Sequence, residues 1–345
     1  MQYTLGVITG GGDAPGLNAY LHAIDRAGRR RGWRVVGIRN GFDGLMRPDR
    51  HPDGGIVDLA SVLRPGDETR SGTVIGAASS GFPALDVTLA RELASMVRAA
   101  GIDALVIAGG DGTQRIAAML ARVGFPVVGL PKTIDNDLTG SPASIGFSSA
   151  VEFLSDAAVA LRRHADAHRR IVLLETMGRN SGHLALATAL ASAADAVLLP
   201  EFPYDPAALR VFVADRLAAG ASSVLVIVAE GAYPHGSPEP GTSGLGGVSS
   251  VVAAGLGDLG AEVRCSVPAQ LQRGAEVSAS DRLLAARLGA AAVDAADAGE
   301  FGVLLGWASN VVTRTPLAFV GRARCLAGGS PDVAAARSLG IFVGG

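Results

Sequence analysis

Along most of the chain, short apolar runs rich in Val, Ile and Leu alternate with longer stretches in which Ala, Leu and Arg mix. The runs predict strands at residues 3–9, 35–38, 104–108, 127–130, 171–175, 196–199 and 223–229. The mixed stretches predict helices near 16–31, 84–100, 112–123, 148–167, 181–194 and 206–219. Each strand is nearly apolar throughout, as a parallel strand covered on both faces requires. Strand-then-helix repetition predicts an α/β fold with a doubly wound, mainly parallel sheet, whose ligands bind outside the carboxyl ends of the strands. The segment 234–250, rich in Gly, Ser and Pro, interrupts the alternation and reads as a surface excursion. From about 300 onward the pattern is less regular, and Val-Val-Thr-Arg-Thr-Pro-Leu-Ala-Phe-Val reads as a strand or sheet edge.

Composition narrows the function classes. With 345 residues, 48% hydrophobic and 18% charged, the chain can bury a large core in one large domain or two lobes. A formal net charge of -2 offers no field for nucleic acid or an anionic membrane surface. The apolar stretches are too short and broken to span a bilayer, and the start reads as a first strand rather than a signal peptide. Two cysteines, Cys265 and Cys325, far apart and outside any C-x-x-C spacing, argue against a disulfide framework and point to a reducing cytoplasm. Lys132 is the single lysine in the chain.

Three polar loops follow predicted strands. Gly10-Gly11-Gly12-Asp13-Ala14-Pro15-Gly16 leads into a helix, where backbone N–H groups and the helix dipole favour an anion; a tight strand-to-helix turn accounts for the glycines equally. Gly109-Gly110-Asp111-Gly112-Thr113 places a carboxylate among glycines, which suits Mg²⁺ bridging protein to phosphate, or an N-cap. Pro131-Lys132-Thr133-Ile134-Asp135-Asn136-Asp137 sets two carboxylates beside the lone ammonium. One of them can act as general base toward a hydroxyl. An Asx-rich turn explains Asn136 and its neighbours but not Lys132.

Together these loops resemble the phosphofructokinase family, the bacterial 6-phosphofructokinases in particular, in collinear order from residue 3 to about 300. The resemblance implies two Rossmann-like lobes with mainly parallel sheets flanked by helices. Residues 1–146 plus about 275–310 would form the phosphate-donor lobe, and 147–274 plus about 311–345 the sugar-phosphate lobe. It implies transfer of the γ-phosphate of ATP to the C1 hydroxyl of fructose 6-phosphate. Gly12, Gly110, Asp111, Gly112 and Thr113 would then lie at the donor, with Asp111 on Mg²⁺. Asp135 would be the base, assisted by Thr133, Asp137 and Lys132. In the second half, Arg170, Met177-Gly178-Arg179, Glu230, Arg264, Gln270 and Arg273 stand at positions that hold the sugar phosphate in the family. The counterparts of Arg170 and Arg264 reach in from a neighbouring subunit, which implies a homo-oligomer, dimer or tetramer, with shared active sites.

The chain departs from the family pattern in places. Ser79 stands where an arginine contacts the transferring phosphate, and Gln270 replaces a histidine that can become cationic. His22 replaces one effector-site arginine, Arg26 remains, and no lysines precede the strand at 223–229, so the family's usual regulation is not implied. Gly112 after the loop aspartate leaves room for ATP, whereas Lys132 before Thr133 is typical of pyrophosphate enzymes and also occurs in ATP-using members. ATP is the expected donor and pyrophosphate the alternative. Another ketose phosphate as acceptor, or a binding paralogue without catalysis, are further alternatives.

Overall fold

The apolar runs become the strands of two sheets. The computed structural model describes residues 2–78, 86–239, 246–321 and 323–344; Ser79 therefore lies outside the described residues. In chain order the strands are β1 (Thr4–Thr9), β2 (Arg34–Ile38), β3 (Ile56–Asp58), β4 (Ala104–Gly109), β5 (Val127–Thr133), β6 (Ile145–Gly146), β7 (Ile171–Thr176), β8 (Ala196–Leu198), β9 (Val224–Ala229), β10 (Val263–Ser266), β11 (Val303–Ala308), β12 (Val311–Pro316) and β13 (Phe342–Val343). The helices are α1 (Leu17–Arg30), α2 (Asp43–Met46), α3 (Leu59–Val62), α4 (Val87–Ala99), α5 (Asp111–Arg122), α6 (Phe147–His168), α7 (His183–Ala191), α8 (Pro206–Ala218), α9 (Val248–Leu256), α10 (Ala279–Asp297) and α11 (Pro331–Ser338). Among the described residues no helix is long and apolar enough to cross a membrane.

The chain divides into two compact units, Met1–Ser149 with Arg273–Ala323, and Ala150–Gln272 with Arg324–Gly345. In the first unit the sheet order is β12-β11-β5-β4-β1-β2-β3, with β6 beside β5. The pairs β1–β2, β1–β4, β4–β5 and β5–β11 are parallel, and β3 and β12 close the two edges antiparallel. The second unit holds β10-β7-β9-β8-β13, parallel throughout. Residues 311–323, expected with the second lobe, fall in the first unit because β12 pairs along its whole length with β11.

Strands β1, β4 and β5 are buried along their full length. Side chains such as Leu5, Val7, Leu105 and Val127 have no exposed surface, each contributing roughly 1.5–3 kcal/mol of burial. Helix α1 buries Leu17, Tyr20, Leu21, Ile24 and Gly28, the spacing of one helical face. Helix α10 was not anticipated by the alternation, since its Ala-rich run offers little contrast between faces. It packs on α1, where a Cβ on Gly289 would come within 2.7 Å of Ala23 Cβ, so only glycine allows the two backbones this close.

Beneath this packing Asp281, in the first turn of α10, is buried. Ser149 donates to its Oδ2 from both N (2.9 Å) and Oγ (2.5 Å), and Ser278 caps α10 by accepting from Asp281 N. Burial raises the Asp281 pKa, and the serine hydrogen bonds oppose that rise in part.

Candidate active site

The three polar loops leave the carboxyl ends of β1, β4 and β5, which lie side by side in the sheet. Chain direction in strand order reverses at this point, since β1 leads outward to β2 and β4 leads the other way to β5, which makes it the topological switch where such sheets bind ligands.

Strand β5 runs past its apolar stretch because Lys132 pairs with Ile145 and Thr133 with Gly146 of β6. Lys132 and Thr133 are thus held by a strand rather than a loop. Lys132 is buried, and its Nζ donates to Gly12 O at 2.5 Å, spanning from β5 to the loop after β1. Thr133 N donates to Ser144 Oγ (2.7 Å), and Asp135 N donates to Thr133 Oγ1 (3.1 Å), turning the chain just after the strand. Asn136 follows with φ +51°, a left-handed conformation that Asn tolerates better than most residues. Asp135 is 7% exposed, and its Oδ1 has no hydrogen-bond partner among the described residues. A buried carboxylate oxygen without a partner costs about 1–3 kcal/mol, so it calls for a donor beyond the described residues. Asp137 is partly exposed at the end of the same turn.

In the second loop, Asp111 opens helix α5 with Gly110 as its N-cap. Asp111 Oδ1 is buried without a partner among the described residues, while Oδ2 accepts from Arg115 Nη2 at 2.6 Å. Among the described residues no group of three His, Cys, Asp or Glu could hold a metal ion. A divalent cation at Asp111 would fill its shell mostly with water and phosphate oxygens, the habit of Mg²⁺, and the orphaned Oδ1 fits that demand. Thr113 has a packing place: a Cβ on Gly109 would lie 2.3 Å from Thr113 Cβ, and one on Gly10 would lie 2.6 Å from its Cγ2. Gly112 is different, for a Cβ there meets nothing within 4 Å. Arg273 rests on the first loop, with Nη1 donating to Asp13 O at 2.9 Å and also 2.9 Å from where a Cβ of Gly12 would be.

In the second unit, Met177, Gly178 and Arg179 follow the carboxyl end of β7. Gly178 has φ +134°, and a Cβ on it would lie 2.5 Å from Ser181 O. Arg179 N donates to Glu230 Oε1 at 2.9 Å, joining the ends of β7 and β9. Gln270 is exposed, whereas Gln272 is buried and accepts from Met177 N at 3.0 Å. Sequence reasoning passed over Gln272 and Arg115; the i,i+4 spacing from Asp111 was the available signal for Arg115. Arg170 and Arg264 sit elsewhere. Both pair with Glu262, Arg170 Nε at 2.6 Å, and Arg264 stands in register with Val172 at the opposite end of β7 from Met177.

This arrangement defines a class first: an α/β protein whose glycine-lined sheet edge, with a buried ammonium and two carboxylates that each keep an oxygen without a partner among the described residues, suits a phosphate-bearing ligand. The chain belongs to the phosphofructokinase family, whose model matches residues 4–296. It is 40% identical over 351 residues to an ATP-dependent 6-phosphofructokinase of Chloroflexus aurantiacus, covering 99% of this chain and 97% of that one. It is 36% identical over 325 residues to a pyrophosphate–fructose 6-phosphate 1-phosphotransferase of Amycolatopsis methanolica, covering 91% and 93%. Among solved structures, a phosphofructokinase from Saccharomyces cerevisiae matches with a TM-score of 0.78 and 28% identity over 92% of this chain, which spans 45% of that longer one.

Proposed function

We propose that this chain is an ATP-dependent 6-phosphofructokinase, moving the γ-phosphate of ATP to the C1 hydroxyl of fructose 6-phosphate. The observation that carries this reading is the convergence of Lys132, Asp135 and Asp111 on the adjacent ends of β5 and β4, with Lys132 bound to the Gly12 loop. Asp135 takes the proton from the C1 hydroxyl, whose oxygen then forms a bond to the γ-phosphorus as the bond to the leaving ADP oxygen breaks. The unpartnered Oδ1 of Asp135 is the natural acceptor for that proton. Lys132 offsets charge on the transferring group, and Thr133 and Asp137 assist around it. Asp111 would hold Mg²⁺, which supplies charge neutralisation on the polyphosphate when bound. Gly12, Gly110, Gly112 and Thr113 shape the donor cradle. Catalysis on this reading is positioning and electrostatics.

Met177, Gly178, Arg179, Glu230, Gln270 and Arg273 are proposed to receive the sugar phosphate, together with Arg170 and Arg264 from a neighbouring copy. The strand β7 separates Arg170 from Met177 by six residues, about 20 Å of extended chain. The two arginines of one chain therefore cannot serve the site at its own Met177, which favours a homo-oligomer with shared sites. A cytoplasmic location is proposed with it.

The open space at Gly112 supports ATP, since an adenosine-bearing donor needs room there that pyrophosphate does not. Pyrophosphate is the second reading, favoured by Lys132 and by the name of the Amycolatopsis relative. Purified protein given fructose 6-phosphate with Mg-ATP, then with Mg-pyrophosphate, tests the donor. Turnover with pyrophosphate alone would reverse the assignment.

A further inference from the structure

Asp111, the carboxylate assigned above to a divalent cation, already has a cation beside it. Arg115, one helical turn further along α5, donates from Nη2 to Asp111 Oδ2 at 2.6 Å. Its Nε donates to Gly321 O at 3.0 Å, so the guanidinium is fixed at two points. Gly321, at φ +110°, closes over the pair: a Cβ there would lie 2.8 Å from Arg115 Cγ and 3.6 Å from Asp111 Oδ1. The second carboxylate oxygen, Oδ1, is buried with no hydrogen-bond partner among the described residues. Asp111 is therefore half satisfied, one oxygen held by a cation and the other buried with no partner among the described residues.

An i,i+4 pair on a helix is commonly a solvated pair of little energetic weight. This one differs in two respects. A solvated pair leaves both carboxylate oxygens to water, whereas here one is buried and has no partner among the described residues. A solvated arginine is also free at its Nε, whereas here that atom is anchored to the segment that covers the carboxylate.

We propose that Arg115 is an exchangeable counter-cation for the donor site. Without a donor it neutralises Asp111; when a metal–polyphosphate arrives, the metal takes the carboxylate and the guanidinium passes to phosphate oxygens, which it grips bidentately. A bare divalent cation brings no anion to receive the displaced guanidinium. Arg115 therefore disfavours metal alone and favours metal and polyphosphate together. This rests on the reading of Asp111 as the metal carboxylate.

The test compares the full-length parent, Arg115→Gln, Arg115→Lys and Asp111→Asn. Mn²⁺ binding without nucleotide is followed by electron paramagnetic resonance, and Mg-ATP affinity by calorimetry. Arg115→Gln is expected to bind bare Mn²⁺ up to about fivefold more tightly, the reach of a partly exposed ion pair. The same variant should bind Mg-ATP about tenfold more weakly, from losing a charge-assisted fork to phosphate. Arg115→Lys, which keeps the charge without the fork, should fall between parent and Arg115→Gln on both scales. Weaker Mg-ATP binding without tighter Mn²⁺ binding overturns the exchange, and no change in either overturns any donor role for Arg115. If Asp111→Asn leaves both affinities unchanged, the metal reading of Asp111 fails, and the exchange with it.

Discussion

The ammonium of Lys132 donates to the carbonyl of Gly12 at 2.5 Å, tying the end of β5 to the loop after β1 across the intervening β4. The ammonium sits close against the first loop: a Cβ on Gly11 would stand only 3.2 Å from Nζ. Lys132→Arg keeps the charge but brings a broad planar fork into the same space. Steady-state assays with fructose 6-phosphate and Mg-ATP should show kcat reduced by about 10²-fold, the scale for losing one electrostatic stabiliser. A parent-like kcat would remove Lys132 from the transferring group.

Asp135→Ser should lower kcat by roughly 10²–10⁴-fold, the usual share of a general base, while sugar-phosphate binding measured by calorimetry persists. Loss of binding with kcat otherwise intact would recast Asp135 as a recognition residue.

Because a Cβ at Gly112 meets nothing within 4 Å, Gly112→Asp should fold normally. The added carboxylate enters the space allotted to the bulkier donor. It should reduce kcat/KM for Mg-ATP by at least about tenfold, or 1.4 kcal/mol, and affect any pyrophosphate reaction less. Equal losses for both donors would speak against a steric gate at this position.

Glu262 holds Arg170 and Arg264 at the end of β7 remote from Met177. If those arginines serve a neighbouring copy, inactive Arg170→Ala and inactive Asp135→Ser chains should complement on mixing and reassembly. In an evenly mixed dimer about a quarter of the sites would regain an intact pair. Mixtures as inactive as either parent would confine each site to one chain.

Asp281 makes stability depend on pH. Burial raises its pKa in the folded chain above the unfolded value of an aspartate. Between those two values the folded state binds more protons, so stability is fully present below the unfolded pKa and falls as pH rises through the folded one. Asp281→Asn keeps an acceptor for Ser149 without the ionisation. Thermal unfolding should therefore shift in favour of the variant between pH 4 and pH 8. A constant difference in Tm across that range would contradict the burial of a titrating carboxyl.

Much of this organisation was legible in the sequence wherever one physical rule acted alone. Fully apolar runs marked β1, β4, β7 and β9, because a strand covered on both faces leaves no other option. The glycine loops were legible because close backbone approach excludes side chains. What escaped was settled by partners distant in sequence. β5 reaches Thr133 only because β6 pairs with it, and β12 joins the first unit through β11. Helix α10 owes its place to small residues against α1, which give almost no periodic signal. Gln272 shows the same limit at the candidate site: it is a buried polar residue that accepts from Met177 N, and its spacing does not reveal that.

Gln114, fully buried on α5, lays its amide nitrogen within 3.2 Å of the carbonyls of Ile107, Gly109 and Leu130. Parallel strands splay where their ladder ends, and exposed carbonyls there would draw solvent into the seam. Gln114 ties the neighbouring ends of β4 and β5 together from within the core. The edge that carries the chemistry is thus braced by a residue lying wholly beneath it.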